Sequence, residues 1–147
     1  MSEMTPEASG GPVLAGHAAA VQAEPGTALT MAALAGDVMA YQSSERLEWV
    51  EAKPGVYVKT LFDGGPHRGR TLLFKLTPGA RSAPHTHDVI EQIYVLEGDF
   101  HDGASWLRAG DMCVRPPGTV HSASTEQGAV ALVIYAGSAI EQAGSPA

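Results

Sequence analysis

From residue 47 onward the chain is interrupted by turn-forming residues about every eight to twelve positions, and this spacing limits the possible folds more than any other feature of the sequence. The interruptions are Pro54-Gly55, Gly64-Gly65-Pro66, Pro78-Gly79, Glu97-Gly98, Asp102-Gly103, Ala109-Gly110-Asp111 and Pro116-Pro117-Gly118. Between them lie short apolar runs at 47–52, 56–61, 71–76, 90–96, 111–114, 120–124 and 130–135. Runs of this length, bounded by such breakers, predict strands, and a regular series of them predicts an all-β sandwich or barrel. Short pieces near Phe100 and Trp106 are expected to join these strands. Pro117-Gly118 suits the two central positions of a type II turn, because proline presets the first φ and glycine accepts a positive second φ.

The chain has 147 residues, which fits one domain. Its character changes near residue 42. Residues 1–41 are rich in Ala, Gly and Pro and read as an N-terminal extension, flexible or partly helical. Within them Leu34, Val38 and Tyr41 fall at roughly helical spacing, so a short helix over 28–41 is possible, with Thr27 as a candidate cap and Gly36 weakening it. Residues 42–137 are expected to form the barrel and 138–147 a C-terminal tail. The net charge of −7 argues against a nucleic-acid partner, which would need clustered Lys and Arg. The single cysteine, Cys113, rules out an intramolecular disulfide and any zinc site built on paired cysteines. It reads as a small packed hydrophobe. No run of eighteen apolar residues is present, so no membrane span is expected, and the first residues lack the basic and apolar regions of a secretory signal. Cytoplasmic localisation is the expectation.

Of six histidines, three fall in two linked segments. The first runs from Gly79 through His85-Thr86-His87 and Glu91 to Gly98. The second runs from Gly110 through Pro116-Pro117-Gly118 to His121. Positions i and i+2 of a strand face the same side, so both imidazoles of the first segment can point into a barrel. Glu91 follows by four, with the same parity. His121 begins a later strand that a closed sheet could bring alongside. Three imidazoles and a carboxylate gathered in an interior are costly without a partner, and a divalent cation supplies one. A lone histidine on a strand is ordinarily packing; four ligand-type residues at matched spacing are not explained that way. His67 and His101 sit in turn-like segments and read as unrelated, and His17 is assigned nothing.

These two segments resemble the paired motifs of the cupin family, whose four metal-ligand positions fall on His85, His87, Glu91 and His121. The spacer between them, from Asp99 to Ala109, is short. One departure is that the second motif usually ends in Asn, in a structural rather than a ligating role, where this chain has Thr125. The resemblance covers roughly residues 45–136. It implies a single-domain cupin, a double-stranded β-helix or jelly-roll barrel, holding one divalent metal ion, with iron(II) favoured and zinc, manganese or nickel possible. The stretch from Trp49 through Pro54-Gly55-Val56, Lys59 and Leu61 to Thr71-Leu72-Leu73 further resembles ChrR-type cupins. That group includes regulatory domains joined to zinc-dependent anti-sigma modules, and small oxygenases that cleave carbon–carbon bonds in diketones and hydroxy-ketones. With one cysteine, the His/Cys cluster of an anti-sigma module is not expected here.

The resulting expectation is an iron(II)-dependent dioxygenase acting on a small diketone or hydroxy-ketone. Four protein ligands on an octahedral ion would leave two positions for substrate and dioxygen. The alternatives are a zinc-binding cupin that senses or stores a small ligand, and a metal-dependent isomerase. Phe74, Arg81, Phe100, Trp106 and Tyr135 are candidate pocket residues, with Gln92, Tyr94 and Arg115 behind them. Strand alternation places Glu91, Ile93 and Val95 on one face and Gln92, Tyr94 and Leu96 on the other, which turns Gln92 and Tyr94 away from the metal. Pairing through edge strands into a homodimer is expected, with Trp49 and Tyr57 as possible contacts.

Overall fold

The computed structural model describes residues 19–34 and 38–137. Among the described residues the regular structure is entirely strand, apart from two short 3-10 turns at Met31–Leu34 and Ser44–Arg46. The strands are β1 (Ala19–Gln22), β2 (Leu29–Thr30), β3 (Val38–Tyr41), β4 (Val50–Lys53), β5 (Val56–Asp63), β6 (Arg70–Leu76), β7 (Arg81–His85), β8 (Glu91–His101), β9 (Trp106–Arg108), β10 (Met112–Arg115), β11 (His121–Ser124) and β12 (Ala129–Tyr135). β1 and β3 pair in parallel by themselves, and the other ten strands form one continuous hydrogen-bonded sheet. The all-β architecture expected from the turn spacing is therefore present.

The sheet folds over at β8. The first half of β8 lies between β12 and β10, in the order β4-β5-β6-β12-β8-β10. Its second half pairs with β9 and, at His101, with β11, which in turn pairs with β7. The pairing of β8 with β12 slips between Val130 and Ala131. Such a bulge bends a strand and increases its twist, as passage from one wall to the other demands. Gly98 lies at the corner with φ +69, and a Cβ there would come within 2.1 Å of the Gly128 carbonyl oxygen. No other residue type fits that position.

Alternation sets the inside of the barrel. Ile93 and Val95 on β8, and Ala129, Ala131 and Val133 on β12, are buried, while Tyr94 and Leu96 are exposed. Leu72, Leu76, Val56, Phe100 and Leu107 complete the centre. Each fully buried large side chain contributes about 1.5–3 kcal/mol by leaving water. The turn after β10 forms as its sequence predicts: Gly118 has φ +81, and the Thr119 N–H donates to the Pro116 carbonyl at 3.3 Å.

Three expectations need correction. Among the described residues the possible helix over 28–41 is reduced to the 3-10 turn at Met31–Leu34: Leu29–Thr30 lies parallel against the β5 edge and Val38–Tyr41 pairs with β1. Tertiary pairing outweighs a weak 3.6-residue pattern there, and the Thr27 hydroxyl donates to the Glu24 carbonyl instead of capping a helix. β7 was not among the apolar runs read as strands, although the same-face argument for His85 and His87 assumed extended chain there, because Arg81-Ser-Ala-Pro-His is polar and contains a proline. It lies at the end of the sheet against β11 alone, where a missing donor is tolerated. β8 continues five residues beyond the expected end at 96 and absorbs the piece near Phe100.

Candidate metal centre

The last residue of β7, His85, is the register partner of the first residue of β11, His121. His87 lies two positions beyond β7 in a loop, and the Gly118 N–H of the Pro-Pro-Gly turn donates to its carbonyl at 2.8 Å. One rigid turn thus anchors the backbone of His87 and delivers His121. The ring centroids lie 4.4 Å apart for His85 and His121, and 5.0 Å apart for His87 with either. One nitrogen from each ring lies within 4.8 Å of the others, which forms a group able to hold a metal ion.

Hydrogen bonding fixes which nitrogens face inward. His85 Nδ1 lies 2.8 Å from the Ala83 carbonyl oxygen, and His121 Nδ1 lies 3.0 Å from that of Thr119. A carbonyl only accepts, so each Nδ1 carries the proton and each Nε2 keeps its lone pair, as a metal ligand requires. His87 Nε2 is buried without a hydrogen-bond partner among the described residues. Burial, and then the neighbouring His121, His85 and Arg115, lower the His87 pKa against the raising influence of Glu91, which favours the neutral, ligating form.

Glu91 opens β8 and is 3 % exposed. Its Oε2 lies 3.0 Å from His87 Nε2 and its Oε1 lies 3.5 Å from His121 Nε2. The first contact is close but not along a hydrogen-bond direction. Arg115, at the end of β10, donates from Nη1 to Glu91 Oε1 and from Nη2 to Asp102 Oδ2, the latter at 3.2 Å. Asp102 also accepts from the backbone N–H groups of Ala104 at 2.9 Å and Ser105 at 2.8 Å. Burial alone would raise its pKa, but these bonds and Arg115 hold it below the usual value. The Tyr135 ring lies tilted against His87 with centroids 5.0 Å apart; burial, reinforced by Glu91, pushes its hydroxyl well above the usual phenol range. Tyr135 is therefore a neutral donor and not a base. Two carboxylates thus face one guanidinium. That uneven pairing and the inward nitrogens of three imidazoles, the orphaned His87 Nε2 among them, fit a divalent cation.

A cavity of about 240 Å³ opens beside this cluster. The three histidines, Glu91, Arg115, Tyr135, Lys53, Ser82 and Ser122 supply its polar lining, and Val56, Val58, Leu72, Phe74, Ile93, Phe100 and Val133, with Ala52 and Ala123, supply the apolar lining. Of the candidate pocket residues, Phe74, Phe100, Tyr135 and Arg115 line this cavity, and Arg81 and Trp106 do not. Arg81 is exposed on β7, while Trp106 is half exposed and meets His101 edge to face with ring centroids 5.4 Å apart, outside the cavity lining. Gln92 and Tyr94 face outward, as alternation predicted, and Cys113 packs against the core. His67, in its turn, has φ +71 and lies outside the histidine group. His17 falls outside the described residues. Sequence reasoning missed Asp102 and Ser82. Asp102 was read as half of an Asp-Gly turn, which it is, and nothing in its spacing announced Arg115 as a second partner.

Comparison with known proteins follows the same lines. The family model described as the ChrR Cupin-like domain matches residues 37–139. No curated protein matches in sequence. Among solved structures, an RmlC-like cupin from Shewanella frigidimarina superposes with a TM-score of 0.58 at 26% identity, over 68% of this chain and 92% of that one. The Rhodobacter sphaeroides SigE complex with the anti-sigma ChrR gives 0.56 at 24%, over 64% of this chain and 51% of that one. KdgF from Halomonas sp. gives 0.55 at 24%, over 68% and 96%. The last two show likeness of fold only.

Proposed function

This chain belongs to the ChrR cupin-like family, and from that membership we propose that it is a metal-dependent dioxygenase, loaded with iron(II), that cleaves a carbon–carbon bond in a small diketone or hydroxy-ketone. The observation that carries this reading is the make-up of the cavity: three inward Nε2 atoms beside a wall of Val, Leu, Ile and Phe. Such a wall favours an apolar body with its oxygens at one end. Apart from Lys53, Ser82 and Ser122 the lining away from the cluster is apolar, which disfavours a sugar with hydroxyls on every face.

His85, His87 and His121 would hold the ion, with Glu91 beside them. When bound, the ion supplies Lewis acidity and, as iron(II), redox chemistry toward dioxygen. The chain's own residues do the rest. Carbonyl-anchored imidazoles keep their orientation. Arg115 holds the Glu91 carboxylate in place beside the histidines. Neutral Tyr135 offers a proton toward Glu91. The apolar wall excludes water and orients the substrate body. The reaction breaks one carbon–carbon bond and places both atoms of dioxygen in the products, so it needs no external reductant.

Anaerobic reconstitution with iron(II), followed by oxygen uptake over a panel of diketones and hydroxy-ketones, tests this. Uptake with release of two carbonyl fragments supports it. No uptake by protein shown to hold iron overturns it. Stoichiometric zinc in protein as purified, with no activity gained on exchange for iron, favours a ligand-binding cupin instead. The homodimer is likewise our inference. Register partners Tyr94 and Met112, with Leu96 and Val114, leave an exposed apolar strip on β8 and β10, and sedimentation reads its outcome directly.

A further inference from the structure

We propose that the chain holds a second ligand site, outside the barrel cavity: a pocket between the β5–β6 hairpin and the loop after β7, where Arg70 and His67 bind the carboxylate of a small organic acid. Such a site stands whatever reaction the metal centre performs.

Three observations carry it. The first is the pocket and the cation on its wall. It has a volume of about 350 Å³, and Pro66, His67, Arg70, His87, Val89 and Tyr135 are among its lining. Arg70 pairs in register with Tyr135, which pairs in turn with Glu91. Arg70 also alternates in phase with Leu72 and Phe74, which line the barrel cavity, so it stands at the end of the same face. Among the described residues Asp63 is its one ionic partner, and that contact joins Asp63 Oδ2 to Arg70 Nε at 3.6 Å. The Gly65 N–H donates to the other carboxylate oxygen, Oδ1, at 2.9 Å and so fixes Asp63. A guanidinium steadied at Nε keeps its two Nη groups for a forked acceptor, which is the geometry of a carboxylate. Among the described residues no carboxylate lines the pocket to compete for them.

The second is the strain at His67. Among the described residues it is the one non-glycine with a positive φ, +71. A side chain in that conformation costs about 1 kcal/mol or more, which glycine would avoid. An imidazole kept at that cost, on the wall of the pocket that Arg70 also lines, calls for a use, and a second N–H donor for the same anion is one. The hairpin is also packed too closely to relax. A Cβ on Gly137 would come within 2.7 Å of the His67 carbonyl oxygen. The wall is thus preformed, and binding needs little further ordering of it.

The third is the partner that His87 lacks. The outer nitrogens of His85 and His121 each meet a backbone carbonyl, at 2.8 and 3.0 Å. No hydrogen bond among the described residues reaches His87 Nδ1, although the His87 ring lines both the barrel cavity and the outer pocket. A metal-binding imidazole ordinarily donates its second N–H to a carbonyl, a carboxylate or a water. A carboxylate in the outer pocket would complete that pattern. Pro66 and Val89 offer an apolar edge for the rest of the acid.

The test is calorimetry on the zinc-loaded full chain, with benzoate as the probe and benzamide as its uncharged match. A cavity of about 150 Å³ accepts benzene, so a pocket of about 350 Å³ has room for either. Benzoate is expected to bind with a Kd on the order of 1 mM, and benzamide about tenfold more weakly. At equal zinc content, Arg70→Gln should weaken benzoate about tenfold or more, and His67→Gly, which accepts the same φ, about threefold. Arg70 is half exposed, so its loss costs the fold at most about 1 kcal/mol. Equal binding of benzoate and benzamide by wild type overturns the proposal, and that comparison needs no variant. Benzoate that binds Arg70→Gln as tightly as wild type overturns it too, since the acid then sits on the ion or elsewhere. Inorganic phosphate that binds where benzoate does not overturns the carboxylate assignment. None of these outcomes touches oxygen uptake, so the dioxygenase reading stands or falls separately.

Discussion

Replacing Arg115 by methionine removes the guanidinium facing Glu91 and Asp102 while keeping most of its volume. The three side chains are 6%, 4% and 10% exposed, so neither carboxylate can turn to bulk water for compensation. Removing one partner of a buried pair costs about 3–5 kcal/mol, chiefly because the other charge is stranded. Asp102 retains its bonds from Ala104 and Ser105, so the larger share falls on Glu91. We expect a loss of about 4 kcal/mol at pH 7.5 in metal-free protein, close to the whole stability of a marginal domain. That corresponds to a Tm lower by on the order of 15 °C. The pH dependence identifies the cause. In wild type the Asp102 pKa is lowered, so its contribution is present above the ordinary carboxylate range and is lost as pH falls through the folded value. In the variant Asp102 loses one of the partners that hold its pKa down, so the deficit should be smaller at pH 4 than at pH 7.5. Arg115→Met with Glu91→Gln, which removes the charge left without a partner, should recover part of it at pH 7.5. Urea unfolding at both pH values, with chelator present, measures each quantity. A deficit below about 1 kcal/mol, or one that does not change with pH, refutes the stranded-charge account.

Gly98→Ala should fail to give folded protein, or lose more than about 3 kcal/mol, since it adds both a positive-φ penalty and a Cβ against the Gly128 carbonyl; soluble yield and urea midpoint report it. Thr125 donates to the Asp99 carbonyl at 2.7 Å and accepts from the Gly128 N–H at 2.9 Å, so Thr125→Val should cost about 2 kcal/mol and Thr125→Ser under 1 in the same assay. The lowered pKa of His87 means that folding favours its neutral form: this contribution is whole above about pH 6.5 and declines as pH falls toward the folded value, so His87→Gln should flatten the acid limb of metal-free stability between pH 6.5 and 5.

The strands with apolar runs between strong breakers were legible in the sequence, because burial on one face imposes alternation on the residues themselves. β12 begins and ends within a residue of its expected limits. β7 was not legible, because an edge strand needs no apolar pattern and Pro84 argues against one. The same holds for the extension: Leu29–Thr30 is a strand only because the β5 edge is there to pair with. At the site, the His85, His87 and His121 spacing forecast their convergence, although the parity argument was too simple. His87 lies past the end of β7 and is brought in by its loop and the Gly118 bond. Asp102 stayed hidden because a carboxylate in an Asp-Gly turn looks the same whether or not a guanidinium reaches it. Arg81 and Trp106 were chosen by residue type alone, and type does not say which face a side chain takes.

β8 shows why site and fold are inseparable in this chain. Its first residue is Glu91, whose shielded carboxylate is costly to hold, and the same strand carries Ile93, Val95 and Phe100 into the core. Burial of those three, at about 1.5–3 kcal/mol each, offsets what the carboxylate costs. The bulge and Gly98 then turn the strand into the second wall, where its end pairs with β11, the strand that opens with His121. The next residue, Asp102, accepts the second arm of Arg115, whose first arm holds Glu91. Both carboxylates of the cluster thus lie at the two ends of one bent strand, tied by one guanidinium. A change that straightened β8 would separate them, and the charge balance that favours a cation beside His85, His87 and His121 would be lost before any ligand was altered.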